Sequence, residues 1–246
     1  MKSSKQRTAI VTGGSGGIGN QICQRLGQDG FNVVVHYGSN REAAESVAKE
    51  ISDAGGAAVT RSADVCDETE VRGLFEAAVS EFGGLDVVVV NAGIGGFDRI
   101  ENVELADFNQ LMSVDFLGAF LTLREAARKL NDGGRIIFVS SQLAERPREG
   151  TGCYSAAKAG IDAMLVSMSH ELGERGITIN SVRPGATQPG MFADSTEERK
   201  EFFRNLSPFK RLGRPDDIAA VASFLASEDA AWVTGQHLRV DGGASN

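Results

Sequence analysis

Short apolar runs alternate with longer amphipathic stretches along the 246 residues of the chain. The apolar, β-branched runs predict strands at 8–12, 32–36, 57–62, 85–91, 135–140, 178–183 and 238–240. Helical spacing of apolar residues predicts helices at about 18–28, 40–54, 67–82, 105–130, 155–174 and 215–227. Strands that alternate with helices form parallel β-α-β units. The pattern therefore predicts an α/β fold: a single doubly wound Rossmann-type domain over residues 1–246, with about seven parallel strands flanked by helices.

One long stretch, about 186–212, departs from this alternation. It lies between the sixth predicted strand and the last long helix, and it contains Pro189, Gly190 and Pro208. Connections of this length inside a compact α/β domain are usually functional. We interpret the 186–212 segment as a substrate lid.

Composition excludes several classes of function. The formal net charge is -8 and no basic stripe is present, which argues against a nucleic-acid partner. No apolar run approaches the roughly 20 residues of a membrane span, and the start of the chain has no signal-peptide pattern. The three cysteines have neither metal-ligand spacing nor an even number for disulfides. We predict a cytoplasmic protein without a metal site.

A glycine-rich loop follows the first strand and opens the first helix. The residues from Thr12 to Gly19 read Thr-Gly-Gly-Ser-Gly-Gly-Ile-Gly. Glycines let the backbone approach a pyrophosphate closely, and the exposed N–H groups with the helix dipole attract its charge. We therefore predict a dinucleotide site. Its expected loop contacts are Gly13, Ser15, Gly16, Gly17, Ile18 and Gly19.

The end of the second strand bears on the choice of cofactor. An acid at this place would bond the adenosine ribose hydroxyls and repel a 2′-phosphate. The chain has no acid here and instead carries Ser39, Asn40 and Arg41, which favours NADP(H) over NAD(H). In the alternative interpretation, Asn40 caps the next helix and Arg41 is solvated. The two interpretations are compatible.

Tyr154 and Lys158 are the candidate catalytic pair. Their spacing on a helix places both side chains on one face. A phenol ionises near pH 10, and a cation one turn away stabilises the phenolate. Ser141 lies shortly before the tyrosine, at the end of an apolar run. Together with the glycine loop, these residues predict a nicotinamide-dependent carbonyl reductase with Tyr154 as proton donor.

These motifs, in this order, resemble the short-chain dehydrogenase/reductase family over essentially the whole chain. The resemblance is greatest to 3-oxoacyl-[acyl-carrier-protein] reductases and to related small carbonyl, sugar or polyol dehydrogenases. It implies that Ser141 holds the carbonyl oxygen, with Ser140 as its competitor, and that Lys158 also binds the nicotinamide ribose. It also implies cofactor contacts after three further strands: Asp64 and Val65 beside adenine, Asn91, Ala92 and Gly93 beside ribose, and Pro184, Gly185 and an early Thr187 beside nicotinamide.

Asp115 departs from the family pattern. In relatives an asparagine stands here in an Asn-x-x-Gly segment and holds a water that links the lysine to solvent. An aspartate accepts hydrogen bonds but has no amide group to donate them. We count Asp115 with the catalytic residues and expect a working but altered relay with a displaced pH optimum. A nucleotide-binding regulator that has lost turnover is the alternative.

The substrate remains open at this stage. A ketone or aldehyde, including a 3-oxoacyl thioester, and a sugar, polyol or alcohol are all compatible with the motifs. Carrier-protein reductases present basic residues before the fifth strand, where this chain has Asn131, Asp132 and Gly133. Acyl carrier protein is therefore an open alternative partner, for which Arg128, Lys129 and Arg175 are the remaining docking cations. Phe97, Phe192, Phe202 and Phe203 are candidates to line an apolar pocket. The resemblance also implies a homotetramer.

Overall fold

A computed structural model describes residues 6–190, 192 and 195–245. Its seven strands form one parallel sheet in the order β3-β2-β1-β4-β5-β6-β7. The strands are β1 Thr8–Val11, β2 Asn32–Tyr37, β3 Ala57–Ser62, β4 Val87–Val90, β5 Arg135–Val139, β6 Thr178–Pro184 and β7 His237–Val240. The predicted doubly wound α/β fold is confirmed.

Helices cover both faces of this sheet. They are α1 Gly17–Gln28, α2 Arg41–Asp53, α3 Glu68–Phe82, α4 Leu105–Met112, α5 Ala119–Lys129, α6 Gly152–Glu171, α7 Glu197–Leu206 and α8 Pro215–Ala226. Within the described residues, no helix has the length and apolarity needed to cross a membrane. The same residues contain no cluster of three or more His, Cys, Asp or Glu side chains placed to hold a metal ion.

The core consists of two hydrophobic clusters, one on each face of the sheet. Strand β5 shows the division, because Ile137 and Val139 join one cluster while Ile136 and Phe138 join the other. A strand covered on both faces is apolar along nearly its whole length. All five residues of β5 are buried, and Arg135, at its start, is the one that is not apolar.

The predicted helix 105–130 is interrupted. Between α4 and α5 the chain makes a π-helical turn over Ser113–Gly118. Hydrophobic spacing does not detect such a turn, because the backbone at its two ends, Ser113 and Gly118, has right-handed helical angles. The turn brings Gly118 against Val65, where an added Cβ would lie 2.8 Å from Cγ2 of the valine. It also places Asp115 entirely inside the protein.

The strand order reverses between β1 and β4, and ligands of doubly wound sheets bind beyond the carboxyl ends of the strands at this reversal. The loops after β1, β4, β5 and β6 therefore meet at one crevice. The 186–212 segment follows β6 and contains α7. Residues 191, 193 and 194 of that predicted lid lie outside the described residues.

Candidate active site

The glycine loop is fixed to the neighbouring strand β2. Gly13 has φ +63°, a left-handed conformation that favours glycine. Its N–H donates to Nδ1 of His36 at 3.0 Å, and the N–H of Gly14 donates to the carbonyl oxygen of His36 at 2.8 Å. The start of the loop is therefore held at two consecutive amides.

His36 is a structural contact of the site that the sequence analysis did not identify. Its Nε2 lies 2.9 Å from the carbonyl oxygen of Ala63, so the hydrogen-bond pattern assigns the proton to Nε2 and leaves Nδ1 to accept from Gly13. Burial lowers the pKa of His36, against a smaller raising effect of the bond to Ala63. The ring is neutral at physiological pH and can serve as acceptor to the loop.

Asn91 connects the end of β4 to the same loop. Its side-chain amide donates to the carbonyl oxygens of Thr12 and Gly13, at 2.9 and 3.1 Å. The backbone N–H groups of Asn91 and Ala92 both donate to Oγ1 of Thr12. Gly19 packs so closely here that an added Cβ would lie 2.2 Å from the oxygen of Gly13. The glycine at this position is therefore required by close packing.

A cavity of about 620 Å³ lies at the crevice. Most of the predicted site residues line it: Gly13, Ser15, Gly16, Gly17, Ile18, Gly19, Asn91, Ala92, Gly93, Ser141, Tyr154, Lys158, Pro184, Gly185 and Thr187. The first helix opens on this cavity without a side-chain cap, so its first N–H groups are available to a phosphate. A Cβ at Gly16 would meet nothing nearer than 3.6 Å, which leaves space beside the loop. The residues present fit a dinucleotide.

The residues predicted to contact the adenosine half lie outside this cavity. Asn40 caps α2 through Oδ1, which accepts from the N–H of Ala43 at 3.1 Å, so the capping interpretation is confirmed. Arg41 is exposed and forms an ion pair with Glu45 at 2.7 Å, a hydrogen bond that raises the pKa of the arginine. Ser39 is exposed. Oδ1 of Asp64 accepts a hydrogen bond from the N–H of Cys66 at 2.9 Å, and Val65 packs on Gly118.

Tyr154 and Lys158 lie in the first two turns of α6 and are both buried. The helix begins three residues before its predicted start at 155, so both side chains belong to one continuous helix. Nζ of Lys158 lies 5.7 Å from the ring centroid of Tyr154 and donates to the carbonyl oxygen of Val139 at 3.3 Å. The ammonium group is thus fixed between the phenol and the end of β5.

The environment of Tyr154 contains opposing effects on its pKa. Burial raises this pKa, Lys158 lowers it, Asp115 raises it, and a hydrogen bond with Ser141 lowers it. Lys158 acts in the predicted direction, but burial outweighs it and the pKa of Tyr154 is raised overall. For Lys158 itself, burial lowers the pKa while Tyr154 and Asp115 raise it, with a net increase. The lysine therefore remains charged at neutral pH.

Ser140 and Ser141 both line the cavity, but they differ in their hydrogen bonds. Oγ of Ser140 donates to Oδ2 of Asp162 at 3.0 Å, and the same oxygen accepts from Nε of Arg183 at 2.8 Å. Oγ of Ser141 accepts from the N–H of Leu143 at 3.2 Å and is hydrogen-bonded to Tyr154. The bonds that Ser140 forms within the protein leave Ser141 as the candidate to hold the carbonyl oxygen, as the sequence spacing also favours.

Asp115 acts on the site through the lysine. Its Oδ2 lies 3.1 Å from Nζ of Lys158, and its Oδ1 accepts from the N–H of Ile94 at 2.7 Å. The carboxylate is fully buried and does not line the cavity. Asp115, predicted with the catalytic residues, thus forms a buried ion pair with Lys158 where the family pattern has a neutral amide.

The far end of the cavity is aromatic. It is lined by Phe97, Phe192, Phe202 and Phe203, as the sequence suggested, and we call it the aromatic end. The ring of Phe97 lies 5.2 Å from that of Tyr154, so the aromatic end begins at the candidate proton donor. Arg148 and Arg199 also line the cavity, and the sequence analysis identified neither. No local motif marks them, because their placement depends on the packing of α7 near the start of α6.

Known proteins match this chain over nearly its full length. A family model described as enoyl-(acyl carrier protein) reductase matches residues 13–245. A versicolorin reductase from Emericella nidulans is 41% identical, with 97% of this chain and 95% of that protein aligned. A short chain dehydrogenase from Burkholderia cenocepacia, solved in complex with NADP, has a TM-score of 0.93 at 34% identity and covers 98% of this chain and 99% of its own.

The angucycline C-6 ketoreductase LanV, solved with bound NADP, has a TM-score of 0.92 at 37% identity. The alignment covers 97% of this chain and 95% of LanV. Fold, site geometry and these relatives agree. The chain belongs to the short-chain dehydrogenase/reductase family and is an oxidoreductase of alcohol or carbonyl groups.

Proposed function

We propose that the protein reduces a ketone or aldehyde with NADPH, with Tyr154 as the proton donor. The observation that carries this proposal is one cavity that contains the uncapped glycine-loop helix, the buried Ser141, Tyr154 and Lys158, and an aromatic end. Two of the structural relatives were solved with NADP, which supports the choice of cofactor.

Each residue has a distinct part in the proposed reaction. When bound, the nicotinamide supplies the hydride that reduces the carbonyl carbon. The glycine loop, Asn91, Lys158 and Thr187 are the groups that would hold the cofactor. Tyr154 transfers its proton to the carbonyl oxygen, and Ser141 holds that oxygen by hydrogen bond. The positive charge of Lys158 stabilises the phenolate that remains.

Replacing Asp115 with asparagine is expected to move the pH–rate profile to lower pH. Asp115 raises the pKa of Tyr154, so loss of its charge lowers that pKa. Reduction requires the protonated phenol, so its rate falls as pH rises through this pKa, and the falling limb moves to lower pH. Alcohol oxidation requires the phenolate, so its rate rises through the same pKa, and this rising limb also moves to lower pH. The pH dependence of kcat in both directions checks this prediction.

Asp107→Asn is the matched control for that profile, because Asp107 is an exposed carboxylate on α4. Superimposable curves for the parent and Asp115→Asn would contradict the role assigned to the ion pair. A shift to higher pH would contradict it equally.

Replacing Arg41 with glutamine is expected to raise the KM for NADPH by about tenfold and to change the KM for NADH much less. The proposal is that the guanidinium exchanges its exposed partner Glu45 for the 2′-phosphate. Arg72 forms a similar exposed pair with Glu68 on α3, so Arg72→Gln serves as the control. An unchanged KM for NADPH in Arg41→Gln would remove Arg41 from the cofactor site.

Among the substrates that the sequence left open, the aromatic end favours an apolar, ring-bearing carbonyl compound. The names of two relatives, a versicolorin reductase and an angucycline ketoreductase, support the same choice. A sugar or polyol would need several hydrogen-bonding groups where the phenylalanines lie. A 3-oxoacyl thioester is the second candidate, since its acyl chain is apolar and the chain resembles the carrier-protein reductases.

The structure gives little support to acyl carrier protein as a docking partner. Arg128 forms an ion pair with Glu125 at 2.7 Å. Arg175 pairs with Asp132 at 2.9 Å and also donates to the carbonyl oxygen of Ala127 at 2.6 Å. These cations are engaged within the protein, so a docking acidic partner would have to displace internal bonds.

Spectrophotometric oxidation of NADPH and NADH with a substrate panel tests the proposed function. The panel contains bicyclic aryl ketones, acetoacetyl-CoA and a ketose. We expect turnover with NADPH, highest for the aryl ketones. Binding of both cofactors without turnover of any substrate would instead favour the alternative of a nucleotide-binding regulator.

We also propose that the chain forms a homotetramer and that the 186–212 segment acts as the substrate lid. Ile161 and Leu165 of α6 are wholly buried in the core and are not available to a partner helix. Leu105 and Phe108 on α4, Leu117 in the π-helical turn and Val166 on α6 are exposed apolar side chains that a partner subunit would cover. Light scattering after size exclusion is expected to give about four times the 26.0 kDa chain mass.

A further inference from the structure

Two guanidinium groups line the cavity beside the aromatic end. Cζ of Arg148 lies 5.4 Å from the ring centroid of Phe203 and 5.9 Å from that of Phe202. Cζ of Arg199 lies 5.7 Å from the centroid of Phe192. Within residues 6–190, 192 and 195–245, neither guanidinium has a hydrogen bond or an ion pair. A guanidinium that lies on a ring keeps its N–H edge for a planar anion.

Among the described residues, Glu149 is the one acid that lines the cavity. Its carboxylate pairs with Arg99 at 3.2 Å. Asp115 is buried against Lys158. Within the part of the chain that the structure describes, the two guanidinium groups therefore have no paired acid in the cavity, although the chain as a whole carries a formal net charge of -8. Charge of this kind at a substrate site selects for an anionic ligand.

Arg148 is held in place by the start of the catalytic helix. Its N–H donates to Oγ1 of Thr151 at 2.9 Å, and that hydroxyl donates to the carbonyl oxygen of Arg148 at 2.8 Å. Oγ1 of Thr151 also lies 3.0 Å from Oγ of Ser155, beside Tyr154 on α6. The backbone of Arg148 therefore has a fixed position relative to the candidate proton donor. An arginine whose backbone is fixed and whose guanidinium lies on a ring loses less conformational entropy when it binds an anion.

The space between Tyr154 and Arg148 is bounded by rings. Phe97 packs on Tyr154, and Phe203 lies 5.0 Å from Phe192 and 5.4 Å from Phe202 in edge-to-face contacts. Such walls complement a flat, apolar ring system. The carbonyl group would lie at Tyr154, and an anionic group on the same ligand would reach Arg148.

We propose that the substrate is a planar aromatic carbonyl compound that carries a carboxylate, and that Arg148, assisted by Arg199, binds this carboxylate. The inference rests on the proposed reductase function and specifies its substrate class. Arg148 and Arg199 bind the anion, and the phenylalanines hold the rings. The proton still comes from Tyr154.

The test compares two ligands that differ only in charge, 6-acetyl-2-naphthoate and 6-acetyl-2-naphthamide. Calorimetric titration in the presence of NADP⁺ gives their Kd values without turnover. Because hydrogen bonds to charged groups are strong, we expect the carboxylate to bind the parent at least about tenfold more tightly than the amide. Arg148→Met should abolish most of this preference, and Arg148→Lys should retain part of it.

Arg146→Met is the matched control, because Arg146 is an exposed arginine of the same loop that does not line the cavity. It should keep the parental preference, and thermal melts should show that all variants are folded. Equal Kd values for the two ligands in the parent, or an unchanged preference in Arg148→Met, would overturn the proposal. Weaker binding of NADP⁺ itself by Arg148→Met, with the ligand preference intact, would also overturn it and assign the arginine to a cofactor phosphate.

Parallel rate measurements with NADPH keep the two proposals separate. If neither naphthyl ketone nor any other carbonyl compound is reduced, the proposed function fails. The Kd ratio decides the carboxylate site in either case. Reduction of both ketones with equal Kd values would refute only the carboxylate site.

Discussion

Replacing Tyr154 with phenylalanine is expected to lower kcat for carbonyl reduction by about a hundredfold to ten-thousandfold. The substitution removes the phenolic proton beside Ser141, and it keeps the ring that packs on Phe97. Cofactor affinity should change little, because the glycine loop and Asn91 are untouched. Stopped-flow oxidation of NADPH and a separate fluorescence titration of its binding measure the two effects.

Tyr37→Phe provides the control, since Tyr37 is the only other tyrosine of the chain and does not line the cavity. It should keep the parental kcat at saturating NADPH. A Tyr154→Phe variant with undiminished kcat would show that the proton comes from another group. Loss of both turnover and NADPH binding would indicate a folding defect, which thermal melts detect directly.

Replacing Lys158 with methionine is expected to destabilise the protein by about 3–5 kcal/mol and to abolish turnover. Methionine fills similar space, but Asp115 is then left as a buried carboxylate whose remaining partner is the N–H of Ile94. A lone buried charge is much more costly than a paired one. The phenolate of Tyr154 also loses the cation that stabilises it. Denaturant unfolding measures the loss of stability.

The double variant Asp115→Asn with Lys158→Met separates these two consequences. Removing the carboxylate together with the ammonium removes the unpaired charge, so most of the lost stability should return. Activity should not return, because the cation beside Tyr154 is still missing. Equal destabilisation in the single and double variants would mean that packing, and not the ion pair, is what Lys158 contributes.

The fold could be predicted because its central strands are buried on both faces. The run Val87, Val88, Val89 and Val90 is apolar throughout, and in the structure alternate valines enter the two opposite clusters. The candidate catalytic pair could also be predicted, because helical spacing places Tyr154 and Lys158 on one face and because a glycine loop and a serine precede them in the chain. The spacing of the pair alone is a weak signal.

What the sequence did not predict depends on contacts between distant segments. His36 meets the glycine loop only because β1 and β2 pair with Val11 opposite Val35, which brings the next residues together. Arg148 reaches Phe202 and Phe203 only through the packing of the 186–212 segment. Neither arrangement leaves a periodic or spaced signal in the sequence.

The π-helical turn over Ser113–Gly118 is another feature that the sequence did not predict. Its residues retain helical spacing, so the pattern predicted one uninterrupted helix through Asp115. The structure shows instead that the turn places this carboxylate 3.1 Å from Lys158. The family resemblance identified Asp115 as the residue that replaces an asparagine. The structure shows that Asp115 is buried and paired with Lys158.

Transfer of deuterium from labelled NADPH to a ketone tests the central claim most directly. The protein would be incubated with NADPH deuterated at the transferable C4 position of the nicotinamide and with an aryl ketone. Mass spectrometry would then follow the alcohol. The account predicts that the parent forms an alcohol carrying the deuterium at the former carbonyl carbon and that Tyr154→Phe, although it binds NADPH, forms almost none. An unlabelled alcohol, or labelled alcohol formed by Tyr154→Phe at the parental rate, would contradict it.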